Sequence, residues 1–234
     1  MVAIRKSQER GYANHDWLKS YHSFSFADYY DVAHMGYSAL RVINEDKIAP
    51  DNGFGMHSHR DMEIITYMLA GELKHQDSMG NGSVIRAGDV QHMTAGTGVR
   101  HSEINPSSET EAHLLQIWIM PARPDLLPSY AEKHFTAEQK HNRWCLIATP
   151  GGREGAITIQ QDVSIYATLL DKDQTICRVM VDERCAYLQL ISGEVLCNGT
   201  LLAAGDAAKI EIEQQIEIKA QSNAEFLWFD LPRV

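Results

Sequence analysis

The amino-acid sequence predicts an all-β protein built from two β-sandwich or β-barrel domains with short helical connectors. Two observations lead to this prediction. Many short runs of β-forming residues are separated by turns rich in glycine, asparagine and aspartate, which is the pattern of closed antiparallel sheets. The same rhythm of turns returns in the second half of the chain, after a proline-rich interruption, so the architecture is expected to repeat.

The strands of the first half follow from the apolar runs and the residues that break them. Residues 62–69 form an apolar run rich in β-formers. Ala70 and Gly71 interrupt this run before residues 72–75 alternate polar with apolar side chains, so the two runs are predicted to form a hairpin. Further runs bounded by turn residues predict strands at residues 83–86, 90–93 and 113–120.

A proline-rich segment marks the boundary between the two halves. Residues 120–128 contain three of the seven prolines of the chain, and proline resists both regular strand and regular helix. The predicted organisation is an N-terminal domain at residues 1–121, a linker at residues 122–143 and a C-terminal domain at residues 144–234. Within the linker, Thr136 and Gln139 are placed to start a short helical turn.

The second half repeats the turn signals of the first. The dipeptide at residues 192–193 corresponds to that at 70–71, and the tripeptide at 204–206 to that at 87–89, which indicates a weak internal duplication. Residues 151–234 contain no histidine, so the second domain is predicted to be structural and to lack an imidazole site. Its strands are predicted at residues 156–160, 164–170, 186–191, 193–197, 209–212, 216–219 and 225–230.

Composition argues against two classes of function. The formal net charge is −10 and no basic run occurs, whereas nucleic-acid binders need clustered lysine and arginine for phosphate contacts. No stretch approaches the roughly 18 apolar residues of a membrane span, and the N-terminus lacks the apolar core of a signal peptide. All four cysteines lie in the second half without a CxxC pair, as expected for thiols in a reducing compartment. We therefore expect a cytoplasmic protein.

Two pairs of residues, His57 with His59 and His101 with Glu103, are the strongest candidates for a functional site. Successive side chains of a β-strand point to opposite faces, so the two members of each pair share a face. Two neighbouring strands would then bring four ligands together. Three imidazoles and one carboxylate suit iron, nickel, cobalt, manganese, copper or zinc, whereas magnesium and calcium prefer all-oxygen sites. The pattern therefore predicts one divalent transition-metal site.

Two alternatives to this ligand set stay open. Close histidine pairs also arise by chance in a chain with 11 histidines, where they serve as polar groups of the surface or the core. We favour the metal site because each pair lies at the end of a strand-like run. Glu63 is a second candidate for the carboxylate ligand, since strand alternation allows it to share a face with His57 and His59.

Several other polar and aromatic residues receive a structural interpretation. The single histidines His75, His92 and His113 are interpreted as hydrogen-bonded polar groups rather than ligands. Gln116 lies in a predicted strand, and its position does not decide whether it supports the site. The aromatic residues near the N-terminus are interpreted as packing between the domains rather than lining a pocket: Trp17, Phe24, Phe26, Tyr29 and Tyr30.

Further motifs accompany the candidate ligands. They are Gly55-Met-His57-Ser-His59-Arg-Asp-Met-Glu63 with Gly71, the glycines 88, 96 and 98 before His101 and Asn105, and the segments Trp17-Leu18, His22-Ser-Phe24-Ser-Phe26, Tyr29-Tyr30-Asp31 and Met79-Gly80. Together they resemble the cupin superfamily and, more narrowly, the pirin family, strongly over residues 1–121 and weakly beyond. The resemblance implies a bicupin with a metal-bearing N-terminal barrel and a metal-free C-terminal barrel.

The resemblance also bears on the carboxylate ligand. The general cupin pattern implies His57, His59, Glu63 and His101 as ligands, whereas the pirin pattern implies His57, His59, His101 and Glu103. We therefore expect Glu103 to be the ligand. Glu63 is expected to orient a ligand histidine or to form a charged pair near the barrel mouth.

Bacterial pirins that resemble this chain imply quercetin 2,3-dioxygenase activity, which cleaves the central ring of a flavonol with O2 and releases carbon monoxide. Glu103 is then expected to be both metal ligand and general base. The expected cofactor is one Fe2+ ion, with Ni2+, Co2+, Mn2+, Cu2+ and Zn2+ as alternatives. Eukaryotic pirins imply the other function, a metal-dependent redox-sensing regulatory protein that acts through a protein partner.

Overall fold

The computed structural model describes residues 2–233, and its regular elements are mainly strands. The strands of the first half are β1 (Val2–Arg5), β2 (Gly11–Asn14), β3 (Leu18–His22), β4 (Leu40–Ile48), β5 (Gly53–His59), β6 (Glu63–Ala70), β7 (Glu72–Asp77), β8 (Gly82–Arg86), β9 (Asp89–Thr94), β10 (Val99–Ile104), β11 (Ala112–Ile119) and β12 (Ser129–His134). Those of the second half are β13 (Cys145–Thr149), β14 (Ile157–Thr158), β15 (Ser164–Leu170), β16 (Thr175–Val179), β17 (Arg184–Ser192), β18 (Glu194–Cys197), β19 (Thr200–Ala203), β20 (Ala207–Ile210), β21 (Gln215–Ala220) and β22 (Ala224–Pro232). The helical segments are α1 (Ala137–Lys140) and the 3-10 segments Ser7–Glu9, Val32–His34 and Pro150–Gly155.

The strands form two compact units. The N-terminal unit comprises Gly11–His134 and Ile159–Gln161, and the C-terminal unit comprises the chain up to Arg10, Phe135–Thr158 and the chain from Asp162 onward. These extents differ from the segments expected from the sequence. Strand β1 pairs with β20 and so belongs to the C-terminal unit, while β12 leaves the expected linker to pair with β9. Each of these strands covers an edge of a sheet whose backbone groups would otherwise lack partners.

The two units share one strand order. In the N-terminal unit a seven-stranded sheet β12-β9-β6-β11-β4-β3-β2 accompanies a four-stranded sheet β5-β10-β7-β8. In the C-terminal unit the corresponding orders are β1-β20-β17-β22-β15-β13-β14 and β16-β21-β18-β19. The prediction of an all-β chain with two repeated domains is therefore confirmed.

The predicted hairpin at Ala70 and Gly71 is wrong. Strand β6 pairs with β9 and β11, whereas β7 pairs with β8 and β10, so the chain passes from one sheet to the other at this point. Gly71 has a φ of +69°, and a Cβ there would lie 2.5 Å from the carbonyl oxygen of Glu111. Between β17 and β18, Gly193 has a φ of +79° and a Cβ position 2.2 Å from the carbonyl oxygen of Asn223. Only glycine permits both the left-handed backbone and the close approach.

Apolar side chains from both sheets of each unit pack together in its interior. In the N-terminal unit, one buried cluster joins strands β3, β4, β6, β7, β8 and β11: Leu18, Ile48, Met68, Leu73, Ile85, Ala112 and Leu114. In the C-terminal unit, the buried cluster includes Phe226 and Trp228 of β22 together with aliphatic residues of both sheets. Burying one such side chain contributes roughly 1.5–3 kcal/mol. Each unit therefore has its own hydrophobic core.

The predicted helical turn after Thr136 is confirmed as α1. Thr136 Oγ1 accepts a hydrogen bond from the backbone N–H of Gln139, and Gln139 Oε1 accepts one from the N–H of Thr136. These reciprocal bonds satisfy two donors that the helix itself leaves unpaired. None of the helices within residues 2–233 combines the length and the apolar character that crossing a membrane requires.

Candidate metal centre

Strands β5 and β10 bring three histidines together. The two strands pair antiparallel, with His57 opposite His101 and His59 opposite Val99. The ring centroids of His57 and His101 are 4.5 Å apart, those of His57 and His59 4.7 Å, and those of His59 and His101 4.9 Å. One ring nitrogen of each histidine lies within 4.8 Å of one from each of the others. This is a group that can hold a metal ion.

A bulge in β5 shapes this wall of the site. His101 of β10 lies opposite His57 of β5, and Glu103 lies opposite Phe54. Two residues along β10 therefore correspond to three residues along β5. The extra residue in β5 changes the simple alternation of side chains. As a result, Phe54 and His57 line the same cavity although they are three residues apart.

The chemistry of the three imidazoles fits a metal. His101 is buried, and neither of its ring nitrogens has a hydrogen-bond partner in the described chain. His57 Nδ1 lies 2.7 Å from the carbonyl oxygen of Gly55, which only accepts, so Nδ1 carries the proton and Nε2 keeps its lone pair. Burial and the neighbouring imidazoles lower the pKa of His59 to about 4 and that of His101 to about 3. Both rings are therefore neutral at physiological pH, as a metal ligand must be.

Glu103 lies beside this group and is held by three donors. Its Oε1 accepts hydrogen bonds from Thr66 Oγ1 at 3.2 Å and from Gln91 Nε2 at 3.3 Å, and its Oε2 accepts one from Gln116 Nε2 at 2.8 Å. Burial raises the pKa of the Glu103 carboxyl above its ordinary value. Gln116, which the sequence left undecided, thus fixes the orientation of this carboxylate.

His75 is hydrogen-bonded, as the sequence analysis expected, but its position beside His101 and Glu103 was not predicted. The group His75, His101 and Glu103 also has its ligand atoms within 4.8 Å of one another, and it shares two members with the predicted site. His75 lies opposite Glu103 on the neighbouring strand β7, and its Nε2 is 3.2 Å from Asp77 Oδ2. Alternation along β7 indicates that Leu73, His75 and Asp77 share one face of the strand. It does not indicate that this face lies beside the histidine cluster, which follows from the pairing of β7 with β10.

Glu63 lies apart from the histidine cluster. Its Oε2 accepts hydrogen bonds from His92 Nε2 at 2.8 Å, Thr94 Oγ1 at 3.2 Å and the backbone N–H of Gln160 at 3.0 Å. Within residues 2–233, Glu63 belongs to neither group that can hold a metal. The next residue, Ile64, lines the cavity, and the alternation of β6 directs Glu63 to the other face. Of the two roles expected for Glu63, the structure shows a paired group, with His92 as its partner.

The three histidines and Glu103 line a cavity of ≈ 720 Å³. Aromatic side chains supply much of its wall: Tyr12, Trp17, Phe26, Tyr29, Phe54 and Trp118. The expectation that the N-terminal aromatic residues do not line a pocket is therefore wrong for Trp17, Phe26 and Tyr29. Tyr30, in contrast, is 72% exposed. The sequence placed these rings near a strand but did not show the path of the loop that turns them inward.

Comparison with known proteins identifies the family. The sequence model of the pirin family matches residues 3–119. The chain belongs to the pirin family. In its second half, residues 146–231 match the quercetinase C-terminal cupin domain. The bicupin architecture implied by the sequence motifs is thereby confirmed.

Known proteins similar to this pirin match 98–100% of its length. Quercetin 2,3-dioxygenase of Escherichia coli (strain K12) is 48% identical over 234 residues, which is 100% of both chains. A pirin-like protein of Caulobacter vibrioides is 39% identical and covers 98% of this chain and 99% of its own. The crystal structure of bacterial pirin YhhW from Escherichia coli in complex with nickel(II) is 46% identical, covers 100% of both chains and has a TM-score of 0.96.

The C-terminal barrel of this pirin holds different residues at the positions that correspond to the candidate metal centre. Cross-strand pairing aligns β5 with β16, β7 with β18 and β10 with β21. The four aligned positions hold one cation, two aliphatic side chains and one thiol: Arg178 for His57, Ile216 for His101, Ile218 for Glu103 and Cys197 for His75. The Arg178 guanidinium stacks on Tyr166, with Cζ 3.9 Å from the ring centroid. Among the described residues, neither of the groups that can hold a metal lies in this barrel.

Proposed function

We propose that this pirin is a metal-dependent dioxygenase that opens the central ring of flavonols such as quercetin with O2 and releases carbon monoxide. The observation that carries the proposal is that His57, His59 and His101 face an aromatic-lined cavity of ≈ 720 Å³. Cavities of roughly 300–1,000 Å³ hold ligands of this size class. The name of the 48% identical relative supports the same reaction, and favours it over the regulatory alternative.

We propose His57, His59, His101 and Glu103 as the ligands of one divalent transition metal, with Fe2+ as the working ion. The support is the neutral, unpartnered His101 ring and the buried carboxylate beside it. The nickel(II) complex of the 46% identical pirin supports an ion of this class. When bound, such an ion supplies Lewis acidity toward the enolic oxygen of the flavonol and promotes its reaction with O2.

The chain's own residues position the substrate. Two aromatic pairs on the cavity wall meet edge to face, Trp17 with Phe54 at 5.2 Å and Phe26 with Trp118 at 5.4 Å between ring centroids. Flat aromatic ligands pack well against such walls. The rings therefore hold the flavonol with its enolic hydroxyl toward the histidines.

Glu103 takes the proton of that hydroxyl. Its carboxylate is 2% exposed and held by Thr66, Gln91 and Gln116, so it stays in one orientation away from bulk water. In the reaction two carbon–carbon bonds of the central ring break, both atoms of O2 enter the organic product, and one carbon leaves as carbon monoxide. Glu103 then returns the proton to the product.

The proposal is tested by reloading the metal-free protein with each candidate metal in turn and measuring carbon monoxide release from quercetin under air. The expected result is release that requires the metal and equals the loss of quercetin, with Fe2+ most active. The matched control is the metal-free protein in chelator. Quercetin that survives unchanged with every metal would overturn the dioxygenase and leave the regulatory alternative as the hypothesis to test.

A further inference from the structure

Four polar side chains line the cavity on the wall formed by β3 and β4. They are Ser20 and His22 of β3 and Asn44 and Asp46 of β4, and each is 2–4% exposed. Burying polar groups costs free energy unless they are paired. The rest of the cavity lining includes aromatic rings and the histidine cluster, so these four side chains form a second polar region of the wall.

Hydrogen bonds fix these four side chains in pairs. Ser20 Oγ donates to Asp46 Oδ1. His22 Nδ1 lies 2.8 Å from Asn44 Oδ1, and because an amide oxygen only accepts, the imidazole is the donor. Asp46 and Asn44 are thereby held in place, as a recognition site requires.

The polar wall continues to the candidate metal centre. One row of cross-strand neighbours crosses the sheet from β4 to β9 and consists of Asn44, Gln116, Thr66 and Gln91. The last three donate hydrogen bonds to Glu103. Asn44 therefore extends the polar lining away from that carboxylate along the wall of the same cavity.

The fold itself does not require a carboxylate on this wall. In the C-terminal barrel, the positions aligned with Asn44 and Asp46 hold Tyr166 and Thr168 of β15. Neither is a carboxylic acid, and Tyr166 is covered by the guanidinium of Arg178. A buried aspartate at this point is thus a property of the cavity and not of the barrel.

We propose that Asp46, held by Ser20 and flanked by Asn44, binds a phenolic hydroxyl of the substrate other than the one at the metal centre. The inference rests on the proposed function, because it takes a flavonol as the ligand. It assigns the cavity a preference for flavonols that carry hydroxyls on the outer rings.

The charge of this wall indicates a neutral hydroxyl as the group it recognises. Burial, together with repulsion by Glu103 and Glu45, raises the pKa of Asp46 to about 7. Below pH 7 the protonated Asp46 carboxyl group both donates and accepts hydrogen bonds, as a phenolic hydroxyl does. An anionic group would be repelled by Glu103 and by ionised Asp46.

The test compares the binding of two flavonols. Quercetin and 3-hydroxyflavone share the enolic hydroxyl and the neighbouring carbonyl, but only quercetin carries further hydroxyls. Binding to the Ni2+-loaded protein is measured without O2 by quenching of tryptophan fluorescence, since Trp17 and Trp118 line the cavity. The wild-type protein is expected to bind quercetin at least about tenfold more tightly, because a buried hydrogen bond to a polar group is worth about that factor.

Three variants isolate the contribution of Asp46. D46L removes the hydrogen-bonding group and is expected to abolish the preference, while leaving the affinity for 3-hydroxyflavone within about threefold. D46N keeps a donor and an acceptor and is expected to retain the preference. E45Q removes a carboxylate from the next residue of β4, whose side chain pairs with His113 at 3.0 Å, and is expected to keep the preference for quercetin because Asp46 and Ser20 remain in place.

Each outcome separates this inference from the proposed function. The subsite is overturned if D46L still prefers quercetin. It is also overturned if D46L loses affinity for both flavonols by the same factor. Should D46L fail to fold, S20A removes the donor that holds Asp46 and is expected to lower the preference about threefold, and an unchanged preference there overturns the subsite as well. Because no turnover is needed, a preference that depends on Asp46 stands even where carbon monoxide release fails.

Discussion

His101 has no hydrogen-bond partner at either ring nitrogen although its side chain is buried. A buried polar group without partners is costly, and in native proteins it calls for an explanation. Glu63 is only partly in this situation, since its Oε2 accepts hydrogen bonds from His92, Thr94 and Gln160 while its Oε1 is buried without a partner. The main reason to assign metal binding to the histidine cluster is that His101 lies with His57 and His59 in a group whose ligand atoms are within 4.8 Å of one another, whereas Glu63, within residues 2–233, belongs to no such group.

The two acids are therefore expected to differ in their effect on metal binding. E103A should lower the affinity for the metal at least about tenfold, since it removes a proposed ligand. E63Q keeps the size of the side chain and the acceptor for the Gln160 backbone, so it should bind metal as the wild type does. Competition with a chromophoric chelator measures both affinities. Equal metal retention in E103A and the wild type would contradict the assignment of Glu103.

Asp46 makes the stability of the metal-free protein depend on pH. Its pKa is about 7 in the fold, against an ordinary value of 3.8 for an aspartate, so the folded chain keeps a proton that the unfolded chain loses. The stabilising contribution of protonated Asp46 is therefore present below pH 3.8 and is lost as the pH rises through 7.

D46N carries no such titration and should be more stable than the wild type at pH 8, by up to ~4 kcal/mol, and by much less at pH 5. Urea unfolding of the metal-free proteins at the two pH values measures the difference. E45Q is the control for removing a nearby charge. A D46N gain of the same size at both pH values would show that Asp46 is not protonated in the fold.

Strand β5 shows how much of the site the alternation of side chains along a strand can predict. The sequence predicted that His57 and His59 share a face with one another and meet a neighbouring strand, and the pairing of β5 with β10 agrees. It did not predict that Phe54 lines the same cavity, because that follows from one extra residue in β5. The position of His75 beside Glu103 was not predicted for a related reason, since its neighbours depend on which strand pairs with β7.

The turn glycines allow a sharper test of the strand connections. Gly193 and Gly199 both have a φ of +79°, but a Cβ at Gly193 would lie 2.2 Å from the carbonyl oxygen of Asn223, whereas at Gly199 it meets nothing within 4 Å. G199A should cost about 1–2 kcal/mol for the left-handed backbone alone. G193A should lower the free energy of unfolding clearly more than G199A, because the backbone between β17 and β18 must also move away from Asn223. Thermal unfolding compares them, and equal losses would show that the close approach does not matter.

The chain contains two barrels with the same strand order, and the proposed metal chemistry belongs to the N-terminal barrel. The turn signals at residues 70–71 and 192–193 were visible in the sequence, and the two units do share a strand order. Residues 151–234 contain no histidine, and the imidazole cluster lies in the N-terminal unit. The exchange of β1 into the C-terminal unit was not predicted, because pairing between β1 and β20 spans about the whole chain and leaves no local signal.

Isotope labelling tests the proposed dioxygenase most directly. The Fe2+-loaded protein is given quercetin under 18O2, and the gas and the ring-opened product are analysed by mass spectrometry. We expect one carbon monoxide per quercetin consumed and both 18O atoms in the organic product, with neither from the metal-free protein. Product oxygen drawn from water, or quercetin loss without carbon monoxide, would contradict the assignment of this pirin as a flavonol dioxygenase.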